Sequence, residues 1–177
     1  MKKNLIMIML ILGMLVPVIA EDGVLFSIKD TKKPGAWTAE GKVKIDIQEK
    51  EGVKIVIPAG KEETIVTLEV KKFAKCEWLL YNILKLEIEN PDKNSLIIKF
   101  RLERRALDDW SLQDENPRFD KDLTVKPGKN TFDIDVTGAS RDPGWKVYVE
   151  KINFTFVNKE KAVREIYIRN ISLGQEE

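Results

Sequence analysis

Histidine is absent from all 177 residues. That removes the commonest general base, the commonest transition-metal ligand and every Ser-His or Cys-His nucleophile pair. Cysteine occurs once, at Cys76, so no disulfide can close within the chain. Cys76 is either a small buried side chain or a point of intermolecular pairing. There is no Gly-rich loop ending in Lys-Ser or Lys-Thr to cradle phosphate, and no paired-Cys motif to hold zinc. An excess of one charge is lacking too, since 30 Lys and Arg stand against 29 Asp and Glu. A near-neutral domain is a poor partner for nucleic acid. Beyond the N-terminal segment there is no long amphipathic helical pattern, and no internal repeat.

What is present begins with an export pattern. Lys2 and Lys3 precede an apolar stretch from Leu5 to Val16, and Val18-Ile19-Ala20 supplies small residues for cleavage. A spanning helix needs about 20 apolar residues, and Pro17 interrupts this one. Residues 1–20 are therefore expected to be a signal peptide and 21–177 a single domain, secreted or periplasmic, with no membrane contact after cleavage. Glu21 occupies the position where a lipoprotein would need cysteine.

The body of the chain is written in period two. In Ser95–Glu103, Leu96, Ile98, Phe100 and Leu102 fall on one face, with Lys99, Arg101 and Glu103 on the other. Val43, Ile45 and Ile47 alternate, as do Val53, Ile55 and Ile57, and Glu51-Gly52 between them predicts a hairpin. Thr64–Val70 reads as a further strand. Leu84, Leu86 and Ile88 precede the Asn90-Pro91 turn, predicting an antiparallel pair with 96–102 whose opposite face carries Lys85, Glu87, Lys99 and Arg101. Residues 103–122 lose the period and read as a long charged loop. Phe132, Ile134 and Val136, then Ile152, Phe154 and Phe156, form later inward rows. Ile166 and Ile168 differ in parity from Ile171 and Leu173, which calls for a bulge near Asn170. About nine strands joined by Gly, Pro and Asn turns predict an all-β, two-sheet antiparallel β-sandwich, with a jelly roll as the favoured topology.

Chemistry must then come from carboxylates, oxygens and rings. Asp108, Asp109, Asp114 and Glu115 could be pictured as a glycosidase pair, but a local acidic cluster in a chain this rich in acids is ordinarily a solvated loop. A structural calcium is compatible with the oxygen-rich loops, although Asp30, Asp108, Asp142 and Asn158 also read as turn formers. Trp78 opens an apolar run and reads as core. Trp37, Trp110 and Trp145 sit in or beside loops rich in Gly, Pro and charge. There an indole either folds back over a core edge or stands out as a platform for a sugar ring. Trp110 is flanked by Arg104, Arg105, Asp108 and Asp109, which can make charge-assisted bonds to a polar ligand. Arg141 accompanies Trp145 in the same way. The charged face of Lys85, Glu87, Lys99, Arg101, Asp133 and Asp135 is either a second binding surface or a set of cross-strand ion pairs.

Several framework segments carry a resemblance: Trp78–Pro91 with its Asn-Pro turn, Val125-Lys-Pro-Gly-Lys-Asn-Thr-Phe-Asp-Ile-Asp135, Ile152-Asn-Phe-Thr-Phe156 and Ile166-Tyr-Ile-Arg-Asn-Ile-Ser-Leu173. Over residues 24 to 173 the chain resembles bacterial galactose-binding-like jelly rolls, including carbohydrate-binding modules. It departs from their pattern at Arg169, where an acidic residue is usual. The resemblance implies a non-catalytic domain, without cofactor, that binds a polysaccharide or oligosaccharide. The expected ligand contacts are Trp110, Arg104, Asp109, Trp145, Arg141 and Trp37. The alternative is an envelope β-sandwich whose role is structural, or which associates with an envelope protein or with itself.

Overall fold

The computed structural model describes residues 23–27, 36–48, 52–60, 63–70, 78, 81–104, 118–137 and 149–175. The expected signal peptide, Cys76 and the segments 105–117 and 138–148 lie outside the described residues. The strands in chain order are β1 (Gly23–Ser27), β2 (Trp37–Glu40), β3 (Lys44–Gln48), β4 (Gly52–Ile57), β5 (Glu63–Glu69), β6 (Ile83–Asn90), β7 (Leu96–Arg104), β8 (Arg118–Val125), β9 (Gly128–Asp135), β10 (Val149–Val157) and β11 (Arg164–Gly174). They form two antiparallel sheets. One runs β3-β4-β11-β6-β9, with β1 also paired to β11, and the other runs β2-β5-β10-β7-β8.

The alternating rows explain why these sheets face one another. Val53, Ile55 and Ile57 of β4, Leu84, Leu86 and Ile88 of β6, and Ile166 and Ile168 of β11 are buried. Against them pack Val66 and Leu68 of β5, Ile98, Phe100 and Leu102 of β7, and Ile152, Phe154 and Phe156 of β10. Trp78 is fully buried in the same core, as its apolar run predicts. The parity conflict in β11 resolves as a bulge: the register with β6 shifts between Ile168 and Asn170, so Ile171 and Leu173 also reach the core. The residue displaced is Arg169, which pairs with Glu89 and lies 5.7 Å from the Tyr167 ring centroid.

Two expectations are corrected. β6 and β7 do not pair: β6 bonds to β11 and β9, whereas β7 bonds to β10 and β8. The Asn90-Pro91 turn is an arch that carries the chain from one sheet to the other. An arch and a hairpin leave the same inward rows, so alternation could not separate them. Lys85 and Glu87 therefore lie on the outside of one sheet, and Lys99 and Arg101 on the outside of the other. Secondly, residues 118–122 belong to a strand and not to a loop. β8 is an edge strand whose inward row, Phe119, Lys121, Leu123 and Val125, contains an exposed lysine. That charge hides the period and discourages another sheet from pairing there.

Five arches meet at one end of the sandwich, joining β2 to β3, β4 to β5, β6 to β7, β8 to β9 and β10 to β11. Buried side chains satisfy carbonyls of the last four. Asn90 Nδ2 donates to Asn94 O at 2.9 Å and to Val125 O at 3.3 Å, while its Oδ1 accepts from the Asp92 N–H at 3.1 Å. Asn158 Nδ2 donates to Pro58 O and Ala162 O at 3.0 and 2.9 Å, so Asn158 acts as the turn former anticipated for it. Arg164, nearly inaccessible, donates to Asn94 O and Ser95 O. Its Nε lies 2.9 Å from Asp92 Oδ2, an ion-pair contact whose angle falls outside hydrogen-bond geometry.

Gly52 begins β4 at φ 93°, and a Cβ there would sit 2.3 Å from the Ile168 carbonyl oxygen, beside the β11 bulge. Gly52→Ala is expected to cost about 1–3 kcal/mol, read as a lower urea midpoint. Asp92 offers a pH test. Its carboxyl is held below the usual aspartate range, first by the Lys93 N–H and then by the charge of Arg164, against an opposing desolvation effect. A depressed folded-state pKa gives stability that is complete above the unfolded value and is lost as pH falls through the folded one. Acid titration of Asp92→Asn should therefore show a shallower loss of stability below roughly pH 4 than the wild-type chain, and identical slopes would remove Asp92 from the account.

Candidate functional site

The outer face of the five-stranded sheet carries the most developed surface. Registry places Glu40, Ile65, Thr155, Lys99 and Asp122 in one cross-strand row, and Thr38, Thr67, Asn153, Arg101 and Asp120 in the next. A groove of about 390 Å³ opens over this face at the arch end, lined by Glu63, Ile97, Lys99, Asp122, Thr155 and Val157 and walled by Lys159, Glu160 and Arg164 of the β10–β11 connection and β11. Ile97 is 62% exposed, an apolar contact among charges and hydroxyls.

The polar groups on the face are held in place. Arg101 donates from Nε and Nη2 to Asp120 Oδ1 and Oδ2 at 2.6 and 3.1 Å, a two-pronged pair. The bond to Asp120 raises the Arg101 pKa, with desolvation opposing it. Thr67 Oγ1 donates to Asn153 Oδ1 at 2.7 Å, and Asn153 Nδ2 donates to Glu103 Oε1 at 2.7 Å. Such a surface can exchange hydrogen bonds with a hydroxylated ligand. Among the described residues no group of three or more acidic or Cys side chains gathers to hold a metal ion.

The opposite sheet presents Tyr167 on its outer face. Lys54 Nζ lies 6.0 Å and Arg169 5.7 Å from the ring centroid, and both cations are themselves paired, with Glu165 and Glu89. The Glu165 bond raises the Lys54 pKa, desolvation opposing it. The ring is occupied by its neighbours and serves the sheet.

No protein-family profile matches the sequence, and no curated protein matches it. Solved structures do match. A family 11 carbohydrate-binding module from Clostridium thermocellum, in complex with a β-1,3-1,4-mixed-linked tetrasaccharide, superposes with a TM-score of 0.59 at 13% identity, covering 79% of this chain and 89% of that one. The fold is a jelly-roll β-sandwich. An agarase gives a TM-score of 0.65 at 12% identity over 87% of this chain, and an exo-β-agarase 0.62 at 12% over 88%. The chain spans only 24% and 25% of those two enzymes. At such identities the likeness concerns the jelly roll alone.

Of the expected ligand contacts, Trp37 is corrected. It is 7% exposed and faces the core, edge-on to Phe26 at 5.4 Å and stacked on Phe154 at 6.2 Å. Its place opposite Leu68 on β2 turns the indole inward, so it cannot present a face to a ligand. Arg104 ends β7, and its side chain is outside the described set. Asp109, Trp110, Arg141 and Trp145 lie outside the described residues. The described strand ends that flank them in sequence, of β7, β8, β9 and β10, lie opposite the arches. Sequence reasoning missed Asn153, Thr67, Thr155 and Asp120. Period two marks them as outward-facing, but only the register shows which of them are neighbours.

Trp37→Ala should cost about 3–5 kcal/mol of stability in a denaturant titration, whereas an exposed ligand platform would leave stability nearly unchanged.

Proposed function

We propose that this chain is an exported, non-catalytic carbohydrate-binding domain that recognises a polysaccharide or oligosaccharide on the outer face of its five-stranded sheet. The observation that carries the reading is the groove at the arch end. It combines charged side chains of both signs, the Thr155 hydroxyl and the exposed Ile97 in one concavity. Hydroxyl-rich ligands need alternating donors and acceptors along an accessible surface, with small apolar contacts for the C–H faces of the rings. The shared jelly roll of a module solved with a mixed-linked tetrasaccharide adds support. Trp110, Arg104, Asp109, Trp145 and Arg141 are proposed as further ligand contacts. A structural calcium held by oxygen donors is part of the same proposal.

Association with an envelope protein or with itself is the weaker reading, because among the described residues the exposed large apolar side chains are Val24, Ile97 and Val163, each on a different segment. Isothermal titration against a panel of soluble polysaccharides should show binding by the full domain. Lys99→Ala and Trp110→Ala should each weaken it by about tenfold, the loss of roughly 1.4 kcal/mol, with unchanged melting temperature. Failure to bind every glycan in the panel would overturn the reading.

A further inference from the structure

Asparagine is a poor strand residue, yet Asn153 occupies the middle of β10, the central strand of its sheet, on the outward side. It is 7% exposed, as is its neighbour Thr67. Two buried polar side chains on the solvent face of a sheet require partners, and the partners here run in one direction. The Thr67 hydroxyl donates to Asn153 Oδ1 at 2.7 Å. That bond leaves the amide NH2 directed the other way, where it donates to Glu103 Oε1, also at 2.7 Å.

The chain of bonds ends on a carboxylate that does not need it for charge balance. In the register, Lys151 of β10 stands directly opposite Glu103. An apolar or threonine side chain at position 153 would complete the sheet without burying an amide. What Asn153 adds is direction: Glu103 is held in one orientation while staying partly accessible, and a carboxylate has several further acceptor sites. Two residues earlier on the same strand face, Arg101 is fixed by Asp120. β7 therefore carries an oriented acceptor and an oriented donor about 7 Å apart, by strand geometry. Groups ordered before the ligand arrives spare the entropy of ordering them on binding.

We propose that Asn153, locked by Thr67, is a positioning residue that aims the Glu103 carboxylate at ligand hydroxyl groups, with Arg101 as the companion donor. The inference rests on the carbohydrate reading of this face and names the part of it that discriminates among ligands. The class of ligand follows from the charges. Among the described side chains, the outward positions of this sheet hold Glu40, Glu63, Glu69, Glu103, Asp120 and Asp122 against Lys99, Arg101 and Lys151. An acidic excess with its acceptor aimed outward suits an uncharged polyhydroxylated chain and repels a carboxylated or sulfated one.

The test uses calorimetric titration of the full domain with soluble mixed-linkage β-glucan, agarose oligosaccharides and polygalacturonate. Glu103→Gln, a change at a partly exposed position, should weaken binding of the uncharged glycan about tenfold, as expected for losing a charge-assisted bond. Thr67→Val, which keeps the shape and removes the hydroxyl, should weaken it about three- to tenfold, while Thr67→Ser binds like wild type. A purely structural role would move the melting temperature of Thr67→Val and leave the affinity of the folded protein alone. If wild type binds an uncharged glycan and both Glu103→Gln and Thr67→Val match it, the positioning role is overturned and the carbohydrate reading stands. Tighter binding of polygalacturonate than of either uncharged probe overturns the ligand class. If wild type binds none of the three probes, the positioning proposal falls together with the reading beneath it.

Discussion

The arrangement depends on satisfying backbone carbonyls where the chain changes sheets. Every arch turns the chain out of one hydrogen-bonded ladder before it enters another, and the groups left over are close to the core. An orphaned buried acceptor costs about 1–3 kcal/mol, so an apolar solution is closed. Asn90, Asn158 and Arg164 supply the donors from side chains that are themselves buried. Asn90 reaches Val125 at the end of β8, and Arg164 of β11 reaches the β6–β7 arch, so each ties together elements remote in sequence.

The same end of the molecule carries the groove. Ser95, Lys159, Glu160 and Arg164 belong to the arches or adjoin them, and they form the wall over Lys99, Thr155 and Val157. Structure and candidate function therefore share residues. Holding the arches rigid also shapes the cavity, and the buried Arg164 contributes to both. Further along the face, the aromatic row Trp37, Phe154, Phe100 and Phe119 lies beneath Asn153 and Arg101 on the inward side of the same strands. The polar network outside is built on a stiff apolar underside.

The sandwich and most of its strands were legible in the sequence because a half-buried strand repeats every two residues. The hairpin of β3 and β4 and the bulge in β11 were legible for the same reason, and the bulge falls at Arg169 where the parity of the isoleucines changes. β8 was obscured by Lys121, a charge in an inward row at a sheet edge. The candidate site was legible only in part. Lys99 and Arg101 read correctly as outward, but their partners are Asp122 and Asp120 of β8, not the residues of β6.

Composition and periodicity by themselves determined the class of fold, the absence of histidine-based chemistry, the near-neutral charge and which face each strand residue takes. Those properties are local, being set by the side chain and its place in a two-residue repeat. Tertiary structure alone decided that the Asn90-Pro91 turn is an arch, that Trp37 lies in the core, and that Thr67, Asn153 and Glu103 form one network. Each of these depends on which strands lie side by side, and strand neighbours distant in sequence are chosen by core packing and by the carbonyls at the arches, which no local pattern records.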